Sequence, residues 1–179
     1  MFGLFKSKTS GVKVSDKIWM SRAAKLRAAA SMLRVNPDCL FVAWFESTAN
    51  EFESQLNLHR PSPNLIMAHE LTYDKALNRM VVFAEHYPLA DKEQSLFSRL
   101  NIPEAPVLSA LDEPLFEKFG GENITELMKK MGMKEDEVIA HTMVTKSIRR
   151  AQDKIAETVK IDQSATSPEE WFSINLRKI

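Results

Sequence analysis

The 179-residue sequence has little of three features that would each indicate a definite class of protein. Its single cysteine, Cys39, excludes an intramolecular disulfide and a thiolate zinc cluster, and is typical of a reducing compartment. Its 24 basic side chains equal its 24 acidic ones, so nonspecific binding to nucleic acid is disfavoured. No apolar run is long enough for a signal-peptide core or a membrane span. We therefore expect a cytoplasmic protein with no transmembrane segment and no nucleic-acid partner.

What the sequence does contain is an alternation of apolar runs and helical segments. The run CLFVAWFE, residues 39–46, is typical of a strand that a parallel sheet buries on both faces. Further strands are predicted at residues 65–71, 79–86 and 105–111. Helices are predicted from residue 21 to the break at Asn36-Pro37, and at residues 48–58, 73–79 and 90–100. Strands that alternate with helices predict an α/β fold with a doubly wound parallel sheet.

The region after residue 111 is predicted to be helical. Gly120 and Gly121 would end a short helix, and Asn123 would cap a second helix that Gly132 closes. The acidic residues 135–137 suit the start of a long final helix that reaches residue 159 or 160.

The chain is predicted to have three parts. Residues 1–14 form a flexible N-terminus, residues 15–160 form the α/β domain with its C-terminal helices, and residues 161–179 form a linker and an anchor. Trp171 and Phe172 would let the anchor fold back on the domain or bind a partner.

Residues 111–155 carry a long motif, LDEPLFEKFGGENITELMKKMGMKEDEVIAHTMVTKSIRRAQDKI. Its characteristic positions are Gly120, Gly121, Gly132, His141, Met143, Thr145, Lys146 and Gln152. The motif resembles the pattern LxxEDxLMxxFGGDRxxxLMxxLGMxEDExIxHPMVTKxIxxAQxK of the preprotein translocase ATPase SecA, near the end of its second RecA-like nucleotide-binding domain. A weaker resemblance covers residues 15–160. It implies a RecA-like fold, related to P-loop NTPases, with a helical C-terminal extension.

The departures from the family bear on activity. SecA holds its nucleotide phosphates in a Walker A loop of the first RecA-like domain, and this sequence contains neither GxxxxGKS nor GxxxxGKT. Where the family has the arginine-rich LRGRAG, this chain keeps Arg99 alone, and Glu85 stands at the Glu of the family's TERH. These two residues are the candidates for cofactor contact. The resemblance therefore implies a binding or regulatory module without ATPase activity, cofactor or metal, with the protein-export apparatus, a client polypeptide or SecA as partner.

A different interpretation is a small nucleotide- or metal-dependent enzyme at the strand ends, near Glu46, His69, Glu85 and His86. The chain's four histidines, which also include His59 and His141, lack the spacing that preorganises a zinc site. A triad of Ser109, His86 and Glu85 lacks the GxSxG elbow.

A third interpretation is a structural homodimer. It would form through four methionines of the motif region, Met128, Met131, Met133 and Met143. Core packing is the commoner use of such residues.

The pair Arg149 and Arg150 is typical of a solvated helix face.

Overall fold

The computed structural model describes residues 11–118, 121–139 and 142–176, and only the backbone of residues 121–123 and 143. In this part of the chain, five strands form one sheet: β1 (Lys13–Trp19), β2 (Cys39–Ala43), β3 (Leu65–Met67), β4 (Met80–Phe83) and β5 (Glu104–Ala110). Every strand pair is parallel, and the order across the sheet is β1-β5-β4-β2-β3.

Eight α-helices occur in the described ranges, together with a 3-10 turn at Ala68–Glu70. The first four are α1 (Arg22–Val35), α2 (Glu46–Leu56), α3 (Tyr73–Ala76) and α4 (Ala90–Leu100). The C-terminal four are α5 (Pro114–Glu117), α6 (Gly121–Lys130), α7 (Thr142–Thr158) and α8 (Pro168–Asn175).

Helices cover both faces of the sheet, and the side chains of β2 contact both layers. All five of its residues are buried, and they alternate between the two layers. Phe41 packs with α1 and α2, where its ring lies 5.2 Å from that of Phe52. Leu40 and Val42 pack on the other face with α4. The structure confirms the predicted α/β fold with a parallel sheet, which is consistent with a RecA-like arrangement.

A third apolar cluster lies beyond the carboxyl ends of the strands. It joins Ile18, Phe45 and Tyr87 to side chains of α5, α7 and α8. Trp171 of α8 is fully buried there, so the C-terminal anchor packs on its own chain. Within the described residues, none of the helices has the length and apolar character needed to cross a bilayer.

Strand β1 was not predicted. It begins at Lys13, inside the segment 1–14 that was expected to be flexible, and Gln94 donates to the carbonyl of Val12. Residues 1–10 lie outside the described part of the chain. Among the five strands, β1 pairs with β5, from Lys13 opposite Glu104 to Trp19 opposite Ala110, and it lies at the edge of the sheet. An edge strand accepts polar residues, so the sequence KVSDKIW shows no buried-strand pattern.

The structure also corrects the helix starts near the motif. Helix α6 begins at Gly121, so Asn123 lies inside it and is not its cap. Gly132, with a φ of 82°, follows this helix as predicted. Helix α7 begins at Thr142, after the acidic residues 135–137 that were expected to start it.

Two of those acidic side chains, Glu135 and Asp136, contact the α1 region instead of capping α7. The Ser21 hydroxyl donates to Glu135 over 2.5 Å, and Arg27 pairs with Asp136 over 2.5 Å. The backbone N–H of Ile139 then donates to the carbonyl of Ile18 over 2.7 Å, which ties the segment to β1.

Candidate functional site

The sheet topology places a crevice between β2 and β4. The chain runs from β2 outward to β3, whereas from β4 it runs to β5 on the opposite side. Open α/β sheets bind ligands at such a point, outside the carboxyl ends of the strands. Here Trp44 follows β2, and Glu85, His86 and Tyr87 follow β4.

Glu85 is buried against the amino end of α2. One of its carboxylate oxygens accepts the backbone N–H groups of Trp44 and Phe45 over 2.9 and 3.1 Å. The other accepts the Thr48 hydroxyl. The first turn of a helix attracts anions because its N–H groups lack partners within the helix. In this protein the carboxylate of Glu85 binds where such an anion would lie, at the amino end of α2.

A buried ion pair between Lys25 and Glu113 lies beside Glu85. Lys25 of α1 is 1% exposed, donates to the carbonyl of Ala84 over 2.9 Å and pairs with Glu113. Burial raises the pKa of the Glu85 carboxyl to about 7, while the charge of Lys25 and the hydrogen bond from Thr48 favour the ionised form.

His86 lies between two carboxylates from distant elements. Its Nδ1 is 2.8 Å from Glu93 of α4, and its Nε2 is 2.9 Å from Asp16 of β1. Burial opposes a charge on this ring, but Glu93 and Asp16 outweigh it and raise the pKa of His86 to about 10. The protonated imidazolium therefore donates from both nitrogens and joins β1 to α4.

Gln152 connects the motif region to this network. Its amide Nε2 donates to the carbonyl of Tyr87 over 2.8 Å and to Glu93 over 2.9 Å. Thr145, also on α7, makes a side-chain hydrogen bond to Asp16. Two of the motif residues therefore hold α7 against the carboxyl edge of the sheet.

Tyr87 contacts the C-terminal segment. Its hydroxyl donates to Asp162 over 2.8 Å, and the indole N–H of Trp171 donates to the same carboxylate over 2.8 Å. Lys92 completes the group with an ion pair of 2.9 Å to Asp162. The carbonyl of Thr166 accepts the N–H of Ser47 over 3.0 Å, at the first turn of α2.

The other predicted residues are either outside the described part of the chain or away from these contacts. Gly120 and His141 are outside the described residues, and the side chain of Met143 is not described. Lys146 is exposed on α7, and Gly121 and Gly132 flank α6. Arg99 is exposed on α4 and lines a cavity. Glu85, 14 positions earlier in the chain, does not line that cavity, so the two candidate cofactor residues do not share a site.

The triad of Ser109, His86 and Glu85 does not form. Both ring nitrogens of His86 face carboxylates, and the buried hydroxyl of Ser109 has no hydrogen-bond partner among the described residues. Glu46 pairs with Arg60 over 2.7 Å, and His69 borders the crevice. Among the residues the structure describes, no group of three His, Cys, Asp or Glu side chains is arranged to hold a metal ion.

Sequence reasoning missed Asp16 and Glu93. Asp16 belongs to the unpredicted strand β1 and reaches His86 across 70 positions of the chain. Glu93 had a detectable signal, because it occupies the buried face of α4 together with Leu96, Phe97 and Leu100. An acidic residue on an apolar helix face indicates a buried partner.

The fold and site define an α/β domain whose C-terminal helices are fixed to the carboxyl edge of a parallel sheet. No family model matches the chain. It is 50% identical over 48 residues to the protein translocase subunit SecA of Christiangramia forsetii, and 52% identical over 46 residues to that of Acidithiobacillus ferrooxidans. The SecA of Chlorobium limicola is 43% identical over 54 residues.

These matches cover 26–30% of this chain and only 4–5% of the length of the relatives. The protein therefore contains a SecA-related region.

Proposed function

We propose that this protein is a non-catalytic binding module, related to the second RecA-like domain of SecA, which acts in protein export by binding SecA. The SecA-related region supports the link to protein export. The motif residues Thr145 and Gln152 support a structural use of that region, because they bind partners inside the domain.

The observation that carries the non-catalytic part is the filled amino end of α2. Glu85 and the carbonyl of Thr166 take up N–H groups that a phosphate would need there. The sequence also has no Walker A lysine to meet a phosphate. Both ring nitrogens of His86 and both carboxylate oxygens of Glu93 are likewise bonded within the chain.

The surface of α6 supports a protein partner. Leu127 of α6 and Met131, which directly follows the helix, are 53% and 69% exposed, and the N–H of Met131 donates to the carbonyl of Leu127 over 3.0 Å. Both belong to the motif that resembles SecA. Large exposed apolar side chains that lie together favour a contact with another protein. The resemblance makes SecA the first partner to test, with a second copy of this chain as the alternative.

Binding to purified SecA tests the partner. We expect saturable binding by biolayer interferometry, which Leu127→Ser combined with Met131→Ser weakens about tenfold or more. The matched control is Val35→Ser, which removes an apolar side chain that is 87% exposed on α1. Equal losses in both variants would contradict the assignment of the surface. Sedimentation that shows self-association, lost only in the α6 variant, would favour the homodimer.

Phosphate release from ATP with Mg²⁺ tests the non-catalytic part. We expect no turnover above a matched blank. Turnover that follows the protein through purification and is lost in a Glu85→Gln or Arg99→Gln variant would contradict the proposal and favour the enzyme at the strand ends.

A further inference from the structure

We infer that the crevice between the carboxyl ends of β2 and β4 binds a small aromatic anion. This site goes beyond the proposed function and does not depend on it. A cavity of about 370 Å³ opens there, within the size range of small-molecule sites. Its lining residues are Trp44, Ala68, His69, Tyr87, Lys92, Ser95, Leu96 and Arg99.

One face of α4 forms the basic side of the cavity. Lys92, Ser95, Leu96 and Arg99 follow the i, i+3, i+4, i+7 spacing that brings side chains to one side of a helix. The helix therefore presents two permanent cations to the crevice and keeps its apolar face on the sheet.

The charge of the lining is unbalanced. It includes the cations Lys92 and Arg99 but no carboxylate, in a protein whose formal net charge is zero. The ammonium group of Lys92 pairs with Asp162, which belongs to the C-terminal segment. Arg99 and His69 make no hydrogen bond or ion pair with any described residue. A guanidinium without a partner at the edge of a cavity is suited to bind a carboxylate or a phosphate.

The opposite side of the cavity is aromatic. The rings of Trp44 and Tyr87 lie 5.0 Å apart between centroids. Aromatic walls of this kind favour a planar ligand. The indole N–H of Trp44 is buried and has no acceptor among the described residues, which is costly in a folded protein. The rings of Trp44 and Tyr87 supply the stacking surface for a planar ligand.

The same features locate the anion. Glu85 already accepts the backbone N–H groups of Trp44 and Phe45 at the amino end of α2, so these two donors are not available to a ligand. Arg99, on the α4 side, remains free. We therefore place the ring against Trp44 and the anionic group at Arg99.

The test is a titration of the ¹⁵N-labelled protein with phenyl phosphate and, separately, benzoate, with phenol as the neutral analogue. The readout is the Trp44 indole resonance, which a Trp44→Phe variant assigns. Trp19 and Trp171 are buried and serve as internal references. We expect a saturable shift with an anion, weakened about tenfold in Arg99→Gln, which loses a charge-assisted hydrogen bond, and partly retained in Arg99→Lys.

Arg34→Gln is the matched control. It removes the same charge from α1, where Arg34 does not line this cavity, and it should leave the affinity unchanged. Saturable binding of either anion supports the inference, and the tighter one identifies phosphate or carboxylate as the preferred group. Three results would overturn it: no saturable shift, equal affinity for phenol, or equal losses in Arg99→Gln and Arg34→Gln.

Discussion

Glu85 and His86 are neighbours in the chain but serve two separate buried networks. Glu85 turns to the amino end of α2, and His86 turns to Asp16 and Glu93. A buried charge is tolerated only when partners replace its water, and both residues have such partners. The two side chains therefore fix α2, β1 and α4 around the end of β4.

Stability should depend on pH through His86. Its pKa is raised in the folded protein, from an ordinary value of 6.5 to about 10, so the folded state binds the proton more tightly. The stability it contributes is fully present below about pH 6.5 and is lost as pH rises through about 10. We expect the free energy of unfolding in urea to fall over this window.

A His86→Gln variant tests the assignment. It leaves the carboxylates of Asp16 and Glu93 without their cation, so we expect a loss of about 3 kcal/mol at pH 7 and a flatter slope above it. A variant whose free energy of unfolding keeps the wild-type slope between pH 7 and 10 would show that another group carries the dependence.

Ser109 offers a stabilising substitution. Its hydroxyl is buried in β5 and has no hydrogen-bond partner in the described part of the chain, so Ser109→Ala should raise the free energy of unfolding by about 1 kcal/mol. Ser15→Ala in β1 is the control, because the Ser15 side chain bonds to Glu104 and should gain nothing. Urea denaturation measures both, and a loss of stability in Ser109→Ala would indicate a partner for this hydroxyl.

The sequence allowed His86 and Glu85 to be selected as candidate site residues, but it did not reveal which groups they bind. Both stand at the end of a predicted strand, where functional side chains collect. Their partners include residues that are remote in sequence, Asp16 for His86 and Thr48 for Glu85, and no local pattern links them.

Among the elements, those with a strong local pattern were predictable. Helix α4 has the predicted bounds, residues 90–100, because its apolar residues repeat at helical spacing. Strand β1 has no such pattern, since it lies at the sheet edge. The start of α7 was misplaced because the acidic residues before it pair with Ser21 and Arg27 of another region.

Helix α7 is held to the sheet by Gln152. Gln152→Ala would leave Glu93 and the carbonyl of Tyr87 without this donor, so we expect a loss of about 2 kcal/mol. Amide hydrogen exchange should also speed up along α7. Arg150→Ala, an exposed change on the same helix, is the control. Unchanged exchange in Gln152→Ala would contradict the role of this side chain.

For the whole molecule, the alternation of strands and helices predicted the parallel sheet, and the motif predicted the SecA-related region. The order of the strands was not predictable in the same way, because it depends on contacts between distant segments. The cavity between β2 and β4 exists only because that order brings Trp44 and Arg99 to one place.

The C-terminal anchor completes the fold. Trp171 is fully buried and donates to Asp162, so Trp171→Ala should lower the free energy of unfolding by about 3 kcal/mol or more. Ile161→Ala alters an exposed side chain next to Asp162 and should have little effect. Equal stability of the two variants in urea would contradict the packing of the anchor on its own chain.

We propose that this protein binds SecA, and calorimetric titration of the purified protein into purified SecA tests this binding most directly. We predict saturable binding that the combined Leu127→Ser and Met131→Ser change weakens about tenfold and Val35→Ser leaves unchanged. No saturable heat with the wild-type protein, at any concentration where both proteins remain monodisperse, would contradict it.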